Sequence, residues 1–172
     1  MKIPKTKILI SEKRIRRRVS ELACQINSDY KGSELTLIFI SSGAVMFAAD
    51  LARKIRPPMQ IDCVRAISYS GLKSSGKVVI DVRLKADIKG KNVLLVDDIL
   101  DSGITLNKVI CRLNRFKPSE IRTCVLLDKT SKRKVPLKAD YVGFEIPDVF
   151  VYGYGLDYKE YCRNLPYLAC LK

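Results

Sequence analysis

Residues 93–105, VLLVDDILDSGIT, leave few options for the fold around them. Val93, Leu94, Leu95 and Val96 form an apolar run bounded by polar residues, the pattern of a strand covered on both faces. Three acids, a Ser-Gly turn and the start of a helical pattern follow. Such a loop suits an anion. First-turn N–H groups lack intrahelical acceptors, the helix dipole is positive there, Gly103 admits close backbone approach, and Ser102 and Thr105 add hydroxyls. Asp97, Asp98 and Asp101 would repel that anion, so they face sugar hydroxyls, a divalent cation or a transferable proton. Together these demands describe a phosphorylated sugar. The plain alternative is an acidic, solvated turn before an ordinary capped helix. An acid pair, a third acid at this spacing, Ser-Gly and Thr together argue against it.

At 172 residues the chain fits one domain, 1–172, able to bury most of its apolar surface. It is 47% hydrophobic, and no apolar run approaches a membrane span. Residues 1–10 lack the apolar core and cleavage site of a secretory signal, so a cytoplasmic location is expected. The six cysteines show no Cys-x-x-Cys pair and read as buried small hydrophobes. Histidine is absent, which excludes Ser-His-Asp and Cys-His mechanisms and leaves proton transfer to carboxylate, lysine, tyrosine or cysteine. A net charge of +14 suggests anionic partners, either a small polyphosphate or nucleic acid. The basic run 13–18 reads as the solvated face of a helix whose apolar stripe is Ile15, Val19, Leu22 and Ile26, so nucleic acid is the lesser expectation.

Taken in order, Ser11 can cap a helix running to about residue 27, and residues 35–40 form a continuous apolar strand. Ser41, Ser42 and Gly43 turn the chain into a helix over 44–55 that offers Val45, Met46, Ala49 and Leu51 to the core, stopped by Pro57. A strand over 59–67 leads to a Ser/Gly-rich stretch, 68–77, expected to be a mobile loop. Residues 78–82 and 92–96 are strands. Leu106, Val109, Ile110, Leu113 and Phe116 have helical spacing, and strands are expected over 121–127 and 141–146. Alternating strands and helices predict an α/β fold with a mainly parallel central sheet flanked by helices, binding its ligand at the carboxyl ends of the strands.

The 93–105 stretch resembles the signature of the type I phosphoribosyltransferases at every position that defines it. Beyond it, nearly the whole chain resembles the hypoxanthine-guanine phosphoribosyltransferase family. The resemblance runs through 39–51, Ser68-Tyr69, 127–130, 139–148 and 153–165, and the last two blocks are specific to purine-salvage members. It implies the type I fold with a small hood formed by the terminal segments. It also implies phosphoribosyl pyrophosphate and 6-oxopurine bases as substrates, Mg²⁺ as cofactor, no membrane association, and a homodimer or homotetramer.

Residue by residue, the resemblance puts Asp97 and Asp98 on the ribose hydroxyls and on the metal, and makes Asp101 the general acid/base at the purine. Ser102, Gly103, Ile104 and Thr105 would wrap the 5′-phosphate, while Ser42, Gly43 and Arg163 would take the pyrophosphate. Lys129 would reach the 6-oxo oxygen, Phe150 stack on the base, Val151 offer backbone contacts, Asp157 hold a second Mg²⁺, and Ser68 and Tyr69 close as a lid. Two positions depart from the family pattern. Aspartate stands at 97 where glutamate is usual, and Ser42 stands where lysine is usual. The alternatives are a regulatory or nucleic-acid-binding sensor of the same sugar pyrophosphate, and a transferase that prefers xanthine.

Overall fold

The computed structural model describes residues 6–68 and 78–171. Its frame is a six-stranded sheet in the order β4-β3-β2-β5-β6-β7, comprising β2 (Leu35–Ser41), β3 (Met59–Ser68), β4 (Val78–Asp81), β5 (Asn92–Leu100), β6 (Glu120–Asp128) and β7 (Tyr141–Glu145). All neighbours pair in parallel except β3 and β4. The expected loop 68–77 lies outside the described residues apart from Ser68, which ends β3.

The apolar run predicted for the centre of the sheet alternates between two cores. Leu94 and Val96 pack with α1 (Glu12–Asp29) and α2 (Val45–Ala52), whereas Val93 and Leu95 pack with α3 (Ile104–Leu113). Residues of both periods therefore agree: a strand with no polar face sits between helices that each bury one stripe. The stripe Ile15, Val19, Leu22 and Ile26 is buried as expected, joined by Ala23. A second sheet, β1-β9-β8, brings together β1 (Thr6–Ile10), β8 (Val151–Tyr152) and β9 (Leu168–Leu171), all antiparallel. This is the hood built from the two ends of the chain.

Four local expectations need correction. Val45 and Met46 are exposed on α2, and Phe47 and Ala48 take the core with Leu51, so the apolar stripe is rotated from the expected one. Phe116 is 43% exposed because α3 ends at Leu113 and a tight 3-10 turn carries the chain off the sheet. Arg18 is half-buried rather than solvated: its guanidinium donates to Gly143 O and Val142 O, both at 2.8 Å, and docks α1 on β7. Only Cys124 and Cys170 are buried, while Cys24, Cys63 and Cys111 occupy outward positions of α1, β3 and α3.

Leu94→Ala should remove about 2–5 kcal/mol of stability by opening a cavity in the fully buried centre of β5. Phe116→Ala should cost under about 1 kcal/mol, since much of its ring already meets water. Denaturant midpoints of the two variants check the ranking.

Candidate active site

The cleft follows from where strand pairing stops. The β2–β5 ladder ends at the Phe39–Val96 pair, while β5 stays paired with β6 as far as Leu100 and Asp128. Past Val96, β5 is therefore open on its β2 side. From β2 the chain passes through α2 to β3, and from β5 through α3 to β6, so the two connections leave in opposite directions. Ligands of such sheets bind at this reversal, beyond the strand ends. A cleft of about 820 Å³ lies there.

Ser42, Gly43, Asp97, Asp98, Asp101, Ser102, Gly103, Thr105, Asp157 and Arg163 all line it. The sequence pattern suggested that the strand stops before the acids. Instead, β5 continues through Leu100, and the β6 ladder holds Asp97 and Asp98 in extended backbone. Asp98 N–H donates to Asp97 Oδ1 at 3.0 Å, and Ile99 N–H to Asp98 Oδ1 at 2.9 Å. Burial, reinforced by the neighbouring Asp98 charge, pushes the proton affinity of Asp97 well above the usual carboxylate range. Burial also raises that of Asp98, where hydrogen bonds from Asp97 and the backbone and the Arg163 charge partly oppose it. Gly43 passes so close that a Cβ there would overlap the Asp98 carboxylate. The Ser41–Ser42 peptide in the same loop is cis.

The next residues turn into α3. Gly103 has φ +79°, and a Cβ on it would meet Val135 Cγ2 at 2.7 Å, so backbone conformation and space both require glycine. Lys134 N–H donates to Ser102 O at 2.9 Å, which ties the lysine-rich connection after β6 to the back of the loop. Asn107 N–H donates to Gly103 O at 2.9 Å, leaving the N–H groups ahead of it without intrahelical acceptors. The Ser102 hydroxyl accepts from Ile104 N–H at 3.4 Å. Asp101 Oδ1 is buried and has no hydrogen-bond partner among the described residues.

The hood closes the far side. Tyr154 donates its hydroxyl to Asp50 of α2 at 2.7 Å, and Gly155 lies against Gly43 O so closely that a Cβ would overlap it. Arg163 pairs with Asp157 at 2.9 Å and Glu160 at 3.3 Å, and donates to Gly155 O at 2.9 Å. The residues expected at a base lie beside this cleft rather than in its lining. Lys129 is 7% exposed, donates its N–H to Leu100 O at 2.9 Å and has its ammonium 3.8 Å from Asp148. Phe150 is 51% exposed and meets Tyr158 edge to face at 6.0 Å, and Val151 is buried in β8. Ile104 opens α3 without lining the cleft. Tyr69 lies outside the described residues. Arg65 and Glu160 line the cleft but were not singled out from the sequence: Arg65 sits in a strand without a motif of its own, and Glu160 lies within the 153–165 block, where the resemblance assigned it no role.

No cluster of three or more metal-binding side chains occurs among the described residues. Hard oxygen donors are nevertheless grouped in the cleft: Asp97 and Asp98 on one wall and Asp157 on the other. That set fits Mg²⁺, which usually binds through one or two carboxylates, waters and substrate oxygens rather than a full protein cage.

The model of the phosphoribosyl transferase domain matches residues 6–159. The chain is 48% identical over 164 residues to the hypoxanthine-guanine phosphoribosyltransferase of Aquifex aeolicus, covering 94% of this chain and 92% of that one. It is 45% identical over 165 residues to the hypoxanthine phosphoribosyltransferase of Salmonella typhimurium, covering 94% and 93%. The crystal structure of a hypoxanthine-guanine phosphoribosyltransferase from Bacillus anthracis superimposes with a TM-score of 0.90 at 44% identity, covering 98% of this chain and 99% of that one.

Asp97→Asn should stabilise the free protein, because it replaces a buried acid with a neutral amide of the same shape. The raised affinity means that the native state holds its proton more tightly than the unfolded chain, so wild-type stability falls as pH rises above the ordinary value of 3.8. Near pH 4 the two proteins should melt together. At pH 8, without divalent cations, the variant should melt about 2–4 °C higher, as expected for roughly 1 kcal/mol in a chain of this size.

Proposed function

The chain belongs to the phosphoribosyl transferase family, and we propose that it transfers the 5-phosphoribosyl group of phosphoribosyl pyrophosphate to hypoxanthine or guanine. The products are the purine nucleotide, IMP or GMP, and pyrophosphate. The observation that carries this reading is the open side of β5, where an acid pair, an acid with an oxygen unpartnered among the described residues, and a phosphate-type loop share one cleft.

In this reading Ser102, Gly103, Ile104 and Thr105 hold the 5′-phosphate with backbone N–H groups, hydroxyls and the positive end of α3. Asp97 and Asp98 accept from the ribose hydroxyls. As pyrophosphate leaves, positive character builds on the ribose ring, and fixed carboxylates beside it lower the barrier. Asp101, whose Oδ1 has no partner among the described residues, exchanges a proton with the purine as the new C–N bond forms. Lys129 donates to the 6-oxo oxygen, Phe150 stacks on the base and Val151 contacts it through the backbone. Ser42 and Gly43, which line the cleft together with Arg163, take the pyrophosphate.

Asp97, Asp98 and Asp157 would hold Mg²⁺, which supplies charge neutralisation of the pyrophosphate oxygens. Exposed Val45 and Met46 on α2 support assembly as a homodimer or homotetramer. Six unpaired cysteines support a cytoplasmic location for this single-domain unit. No helix among the described residues is long and apolar enough to cross a membrane.

Purified protein with phosphoribosyl pyrophosphate and Mg²⁺ should form nucleotide from hypoxanthine or guanine in preference to xanthine or adenine. Asp101→Asn should lower kcat by roughly 10²- to 10⁴-fold, the usual contribution of a positioned acid/base. Chelation of divalent cations should abolish turnover reversibly. Absence of product with every base would sink the reading.

A further inference from the structure

We propose that Arg65 binds the pyrophosphate group of the sugar substrate, an inference that rests on the function proposed above. Arg65 lies near the end of β3, directly opposite Ser41 in the parallel ladder, so it sits beside the 41–43 loop. It is exposed and lines the cleft.

The charges in the cleft explain the assignment. Five carboxylates line it, from Asp97, Asp98, Asp101, Asp157 and Glu160, against the two guanidinium groups of Arg65 and Arg163. Arg163 is committed to Asp157 and Glu160 and to the Gly155 carbonyl. Arg65 forms no ion pair among the described residues, and Asp81, its cross-strand neighbour in β4, is paired with Arg83 at 3.2 Å. Ser42, on the adjoining loop, is uncharged.

A polyanion entering a lining with this negative balance needs a cation whose charge is still available. Arg65 offers one, with a planar fork that matches two phosphate oxygens at once. Its backbone, paired with Ser41 on one side and Asp81 on the other, also limits how much chain must be ordered on binding.

The test is steady-state kinetics of wild type, Arg65→Gln and Arg65→Lys. The forward reaction is run with phosphoribosyl pyrophosphate and hypoxanthine varied in turn, and the reverse reaction with pyrophosphate varied against IMP. In Arg65→Gln the KM values for phosphoribosyl pyrophosphate and for pyrophosphate should rise ~10- to 100-fold, the worth of one charge-assisted contact. The KM for hypoxanthine should stay within ~2-fold, and Arg65→Lys should recover part of the loss, since it keeps the charge without the fork. Unchanged KM values for both phosphate-bearing substrates overturn the proposal, as does an equal rise for hypoxanthine. Should wild type make no nucleotide from any purine, the proposed function fails first. Calorimetric titration of pyrophosphate with Mg²⁺ into wild type and Arg65→Gln then judges Arg65 by itself, and equal affinities overturn it.

Discussion

Past Val96, β5 loses its β2 neighbour and keeps its β6 neighbour. That asymmetry creates the cleft. The retained ladder holds the acids in fixed extended backbone, and the missing one gives a ligand room to reach them. The reversal of chain direction between β2 and β5 makes the asymmetry a property of the topology, not of any single side chain. The hood then covers the opening with Arg163 and Asp157, anchored through Tyr154 on Asp50.

The same arrangement is costly for the free protein. Burial raises the proton affinity of both adjacent carboxylates, Asp98 adds to that of Asp97, and a third acid keeps a buried oxygen without a donor among the described residues. A protein selected for stability alone would have no reason to keep them there. The two cores on either face of β5 offset that cost, with Leu94, Leu95 and Val96 fully buried beside the acids. In the proposed reading a purine N–H would satisfy the Asp101 oxygen, while sugar hydroxyls and a divalent cation would answer the acid pair.

Much of this could be read from residues 93–105, where an apolar run, acids and Ser-Gly-x-Thr lie within one element and its exit. The stripe of α1 was equally readable, because four apolar residues at helical spacing admit one buried face. What escaped depended on distant partners. Arg18 looks like its neighbours Arg16 and Arg17 until β7 supplies two carbonyls for it. Gly43 read as a turn, yet its lack of a Cβ serves a close approach to Asp98, and Gly155 packs against the Gly43 carbonyl. Lys129 and Phe150 were reachable through the resemblance alone, as neither periodicity nor charge separates them from ordinary residues. Arg65 lies in a strand of mixed pattern, and only the register with Ser41 brings it to the site.

A crystal structure with phosphoribosyl pyrophosphate and Mg²⁺ bound bears most directly on this arrangement. The 5′-phosphate should lie on the loop 102–105 at the start of α3, the ribose hydroxyls against Asp97 and Asp98, and the pyrophosphate between the loop 41–43 and Arg163. A sugar pyrophosphate bound elsewhere, or one lying in the cleft with its ribose turned away from Asp97 and Asp98, would contradict it.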